Sequence, residues 1–197
     1  MDITQDGFLG GQLQLYQPKI GYRAGIDPVL LAAACPARSG EHVLELGCGV
    51  GVASLCLMAR VPEVRLYGVE ILPEYAQLAR DNAAKNNFEF EVQVGDVSAQ
   101  PTPFNGREFH QIIMNPPYFL AQSSSISPDI GRASGRAELV ELSIWVQTAA
   151  KRLRPKGYLT LIQRVERLPD ILASLTTRLG SISVQPLAPR VGRAPHL

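Results

Sequence analysis

The chain predicts a doubly wound α/β fold, a mostly parallel sheet with helices on both faces, and two observations carry that expectation. Five short runs are apolar almost throughout rather than alternating, as in strands covered on both sides, and helix-like segments alternate with them. Strand-helix-strand order calls for right-handed crossovers and hence parallel pairing. Ligands of such a sheet bind outside the carboxyl ends of its strands.

Taken in order, a first helix is expected to start at Asp27, whose carboxylate can cap the following amides while Pro28 fills the first turn. The strands are expected at His42–Leu46, Arg65–Glu70, Phe90–Val94, Phe109–Met114 and Tyr158–Gln163. Further helices are expected at Gly51–Arg60, Pro73–Asn86, Ala137–Arg154 and Leu168–Leu179, with Pro73 suited to a first turn and Gly157 acting as a stop signal. There is no internal repeat, and the one biased stretch is Ser-rich, Ala121–Gly135.

A chain of 197 residues, 46% hydrophobic, fits one domain able to bury a core without disulfides. Residues 1–197 are therefore expected to form a single unit, with 1–26 as an N-terminal lead and 27–197 as the α/β core. Cys35, Cys48 and Cys56 are odd in number, lack metal-ligand spacing and sit among apolar neighbours, which points to a reducing, cytoplasmic setting with no metal. The start has no basic leader, and the longest apolar run is about half the roughly 20 residues of a membrane span, so no membrane association is expected. Residues 1–150 carry 10 Lys/Arg and 16 Asp/Glu, whereas 151–197 carry 9 and 2, so the two parts sit near −6 and +7. Such a split marks either a surface for phosphates or an Arg-rich solvated face.

Chemistry gathers at the strand ends. "ELGCGVG" closes the first strand with Glu45 and places Gly47, Gly49 and Gly51 at alternate positions, where bare backbone lets a ligand approach. The spacing departs from the dinucleotide fingerprint, and Glu45 would repel a pyrophosphate but attract the cationic end of an amino acid. Glu70 ends the second strand, about 20 residues on, where a carboxylate can take both hydroxyls of a ribose. "GDV" after the third places Asp96 where it can accept from an adenine amino group. Together these outline an adenosine bearing an amino-acid tail. On "ELGCGVG", Glu70 and "GDV" the chain resembles the class I S-adenosylmethionine-dependent methyltransferases, Rossmann-like enzymes, over roughly residues 40–165. The resemblance implies S-adenosylmethionine as cofactor, held by Glu45, Leu46, Gly47, Cys48, Gly49, Gly51, Glu70, Ile71, Asp96, Val97 and Asn115.

The fourth strand ends on Asn115-Pro116-Pro117-Tyr118, and these four are the expected catalytic residues. Each proline fixes its own φ, restrains the residue before it and lacks an amide hydrogen, leaving the Asn115 side-chain oxygen and the Pro116 carbonyl as a stiff row of acceptors. An amino group on adenine or an amide is a poor nucleophile, and two fixed acceptors would favour its tetrahedral form and stabilise developing positive charge. Tyr118 offers a face for a planar substrate. This motif matches the signature of amino-group methyltransferases that act on adenine or on glutamine side chains. The front of the chain, with Gly25, Asp27, Leu30 and Leu31, resembles bacterial tRNA (adenine-N6)-methyltransferases of the small-domain family, which modify valine tRNA beside the anticodon. "SPD" after the signature and Trp145 extend the likeness.

The resemblance implies a strand-rich lead, in which Tyr16, Gln17, Tyr22 and Arg23 form either an ordinary hairpin or a lid over the cofactor. The Ser-rich loop is a connection or a substrate gate, with Arg132 and Arg136 available to phosphates. The family sheet has seven strands; "SISVQPLAP" can supply the sixth, and "RVGRAPHL" offers no seventh. An incomplete C-terminal strand hairpin is therefore expected, from a shortened chain or one completed by a partner. The expected activity is methyl transfer to the N6 amino group of adenine in RNA, with no metal; a glutamine methyltransferase of a release factor and a non-catalytic cofactor-binding module stay open. The expected partner is a tRNA, with the protein a monomer or weak homo-oligomer.

Overall fold

A computed structural model describes residues 1–99, 103–117, 141–175 and 178–188. It opens on an antiparallel hairpin of β1 (Ile3–Phe8) and β2 (Leu13–Pro18), joined through a short 3-10 turn. There follow α1 (Asp27–Ala34), β3 (His42–Leu46), α2 (Val52–Arg60), β4 (Arg65–Glu70), α3 (Pro73–Lys85), β5 (Phe90–Val94) and β6 (Phe109–Met114). The last elements are α4 (Leu142–Arg152), β7 (Leu153–Leu161) and α5 (Leu168–Leu175).

Strands β3 to β7 form one parallel sheet in the order β5-β4-β3-β6-β7. The chain winds outward from β3 through β4 to β5, then crosses to β6 on the far side of β3 and winds outward again. This reversal puts the crevice between the carboxyl ends of β3 and β6, where Leu46 lies opposite Met114.

Alternating side chains of the buried strands feed two apolar layers. Val43, Leu66 and Ile113 join α1, α2, α3 and the hairpin on one face; Leu44, Leu46, Tyr67, Val69, Ile112 and Met114 join α4 and α5 on the other. The hairpin is tied to α3 by two asparagines one helical turn apart. Asn82 Oδ1 accepts from Tyr16 N at 2.6 Å and Asn82 Nδ2 donates to Tyr16 O at 3.0 Å, while Asn86 brackets Gln14 in the same way at 3.1 Å on both sides. Side-chain amides thus complete the outer edge of β2 as a neighbouring strand would.

Several boundaries differ from the sequence expectation. Asp27 lies in the first turn of α1, behind Ile26 at the cap. Helix α4 ends at Arg152 and β7 starts at once, so Gly157 is not a stop signal. It sits in a bulge opposite His110, where a Cβ would come within 2.8 Å of the His110 carbonyl oxygen. The strand also ends at Leu161, two residues before Gln163. The expected sixth strand is absent from the described part of its segment: residues 181–188 carry none. Ile182 and Val184 are exposed, only Leu187 packs on the core, and Pro186 removes a ladder donor. Among the described residues, β7 is paired by β6 alone and keeps its other edge.

Candidate functional site

Parallel register collects the sequence-flagged residues at one edge. Leu46 is opposite both Val69 and Met114, and Glu70 is opposite Val94, so the ends of β5, β4, β3 and β6 lie side by side. The glycine turn is held there by Gly47 N and Cys48 N, which both donate to Val69 O at 2.9 and 3.0 Å. Gly47, Gly49 and Gly51 have φ of 68°, 53° and 88°, the left-handed region that favours glycine and that lets the chain double back into α2. A Cβ on Gly47 would lie 2.7 Å from the Trp145 ring, whereas one on Gly49 would meet nothing within 4 Å. Gly49 therefore presents bare backbone to open space.

Each acid has a defined partner. Glu45, 4% exposed, accepts from Ser54 N at 3.0 Å and Ser54 Oγ at 2.5 Å, so it caps the first turn of α2 from the end of β3. Burial pushes its carboxyl up to about 8, the Ser54 bonds pull the other way, and Glu70 adds repulsion. Glu70 accepts from Gly49 N at 2.8 Å on one oxygen and from Leu72 N at 3.0 Å on the other, with Ile71 N a further backbone donor. Burial raises its pKa, and the backbone donors oppose the rise. Asp96 accepts from Ser98 N and Oγ on a single oxygen, both at 2.7 Å, and Gly95 N ties the turn to Glu70 O at 2.9 Å.

Leu46, Cys48 and Val97 are buried in the apolar layers, so only their backbone faces the edge; Ile71 is partly exposed beside Glu70. Burial drives the Cys48 thiol well above its ordinary range.

Beyond β6, Pro116 is buried and Asn115 and Pro117 are partly so. Among the described residues, Asn115 Oδ1 and Trp145 Nε1 are buried polar atoms without a hydrogen-bond partner. Orphaned groups of this kind cost roughly 1–3 kcal/mol each unless a ligand satisfies them. The Pro116 carbonyl, expected to be open, instead accepts from Gln163 Nε2 at 3.2 Å. Tyr118, Arg132, Arg136 and the Ser-rich loop lie outside the described residues.

The lead divides by role. Buried Gln17 and exposed Arg23 share Asp6 and fix the connection after β2, and Lys85 covers the Tyr16 ring at 4.7 Å on the α3 side. These three hold the hairpin. Tyr22 differs: it is half exposed, and its backbone carbonyl accepts from the Tyr75 hydroxyl of α3 at 3.3 Å. Residues missed by sequence reasoning are Ser54, Asn82 and Gln163; only Ser54, three residues past Gly51 in a helix start, gave a local signal.

The edge fits an adenosine with an amino-acid tail: a carboxylate fixed by backbone donors at Glu70, bare backbone at Gly49 and an unpartnered acceptor at Asn115. Among the described residues no cluster of His, Cys, Asp and Glu could hold a metal, and no helix is long and apolar enough to cross a membrane.

Comparison with known proteins agrees. The chain is 36% identical over 189 residues to a Porphyromonas gingivalis protein named tRNA1(Val) (adenine(37)-N6)-methyltransferase, covering 91% of this chain and 73% of that one. Among solved structures, a "predicted O-methyltransferase" from Agrobacterium tumefaciens matches with a TM-score of 0.68 at 26% identity, covering 86% of this chain and 76% of that one. A T. thermophilus 16S rRNA methyltransferase in complex with AdoMet and guanosine matches in fold, with a TM-score of 0.63 at 21% identity over 89% of this chain and 46% of its own. The family described as "Methyltransferase small domain" matches residues 24–184, and with the five-stranded parallel sheet and its glycine turn this places the chain in that family of methyltransferases.

Proposed function

We propose that this methyltransferase uses S-adenosylmethionine to methylate the N6 amino group of an adenine in tRNA, beside the anticodon. The observation that carries this is the unpartnered Asn115 Oδ1 at the switch point, one strand from the glycine turn. The name of the P. gingivalis relative supports the same substrate class.

Glu70, its carboxylate oriented by backbone donors, would take the ribose hydroxyls with the acceptor capacity they leave. Gly47 to Gly51 and Glu45 would border the methionine part, and Asp96 would receive the adenine amino group on its second oxygen. When bound, S-adenosylmethionine supplies an electrophilic methyl group on a sulfonium. Asn115 Oδ1 and Pro116 O accept the two hydrogens of the target amino group, which turns its lone pair out of the ring plane. Positive charge that develops on that nitrogen is stabilised by the same two acceptors, and the extra proton leaves to water. Tyr118 supplies a stacking face for the flipped base.

The test is incubation with labelled S-adenosylmethionine and total tRNA from cells lacking the enzyme, followed by nucleoside digestion. Label is expected in N6-methyladenosine. Label only in methylglutamine of added release factors, or none in tRNA, would overturn the proposal.

A further inference from the structure

We infer that Gln163 is a positioning residue for methyl transfer, acting through the Pro116 carbonyl; this rests on the function proposed above. The β6–β7 ladder runs to Leu161 opposite Met114, and Ile162 N continues it onto Met114 O at 3.2 Å. The next side chain then leaves the sheet. Gln163 is 6% exposed, and its Nε2 donates to Pro116 O at 3.2 Å and to Pro117 O at 3.4 Å. Its Oε1 accepts from Arg164 N at 2.9 Å, so both ends of the amide are committed and its direction is set by backbone on either side.

The need for such a brace follows from the two prolines. They stiffen the turn, and the carbonyls of Pro116 and Pro117, past the end of the β6–β7 ladder, receive a side-chain donor from the segment after β7. A carbonyl oxygen has two lone pairs, and with one taken by Gln163 the direction of the other is fixed. That second lone pair is the one assigned to the target amino group. Gln163 draws some electron density from the carbonyl and weakens it as an acceptor, but misplacement by about 1 Å can cost 100-fold in rate, so fixed geometry outweighs the loss.

The role is separable from structural support by three measurements on the full chain: turnover, cofactor affinity and pH profile. Gln163→Leu keeps bulk and loses both polar ends; its kcat should fall by about tenfold or more with the dissociation constant of S-adenosylmethionine within about twofold. In Gln163→Glu the shape is kept, but an ionised carboxylate would face two carbonyl oxygens and only the protonated acid can donate to one. Turnover of that variant should therefore fall as pH rises across a range in which the parent is unchanged. A Gln163→Leu kcat within about twofold of the parent, or a Gln163→Glu profile parallel to the parent's, overturns the role. If Gln163→Leu does not fold, the Gln163→Glu profile decides alone. A parent that places no methyl on tRNA adenine overturns the function and this role together, whereas an active parent with active variants overturns only this role.

Discussion

At the scale of single residues, most acceptors of the described site already have their partners. Glu45, Glu70 and Asp96 each spend hydrogen-bonding capacity on a neighbouring turn, and the Pro116 carbonyl is held by Gln163. Asn115 Oδ1 alone in this group is buried without a partner. On the proposed function, Asn115→Ala removes an acceptor for the target amino group, and methyl transfer should drop by roughly 100-fold to 1,000-fold, as for loss of a preorganised polar contact. Cofactor affinity should stay within a few-fold. Equilibrium binding beside single-turnover rates checks this, and equal loss of both would remove the acceptor role.

At the scale of elements, the N-terminal hairpin is held by amides on a helix rather than by another strand. Asn82, fully buried, bonds Tyr16 N, Tyr16 O and Val50 O, and so links β2 to the turn ahead of α2. Asn82→Ala leaves three backbone groups short of a partner, and a loss of about 2–4 kcal/mol in unfolding free energy is expected. Denaturant titration measures the loss. Hydrogen exchange should speed up in residues 13–18 before it does so in β3; uniform exchange across both would argue against this local tie. The hairpin's antiparallel pairing followed the resemblance, but its anchor was invisible in sequence. Two asparagines four positions apart look like ordinary surface residues until α3 is laid against β2.

For the molecule as a whole, one edge of the sheet concentrates buried acid. In the unfolded chain Glu45 ionises near 4.5, whereas burial in the fold pushes it up to about 8, with Glu70 raised by burial as well. Between those values the folded state keeps a proton that the unfolded state has released, so stability falls as pH rises through the window. The melting temperature of the cofactor-free protein should be lower at about pH 8 than at about pH 5, and Glu45→Gln should flatten that dependence. Calorimetry of parent and variant across the window checks the difference, and parallel curves would contradict it. The same concentration of acid suits an edge that receives a cationic amino-acid tail.

The sequence by itself determined the strand-helix order, four strands to the residue and the grouping of "ELGCGVG", Glu70, Asp96 and Asn115 at carboxyl ends, because apolar runs and turn chemistry are local properties. It misjudged the start of β7 and the role of Gly157, since a bulge is set by the partner strand across from it. It also expected a sixth strand in the segment from Ser181, whose described residues 181–188 carry none. Only the tertiary structure decided which polar atoms are taken and which are left. Leu161 must lie opposite Met114 before Gln163, 47 residues beyond Pro116, can reach the proline carbonyls, and that pairing is a property of the folded sheet rather than of either segment.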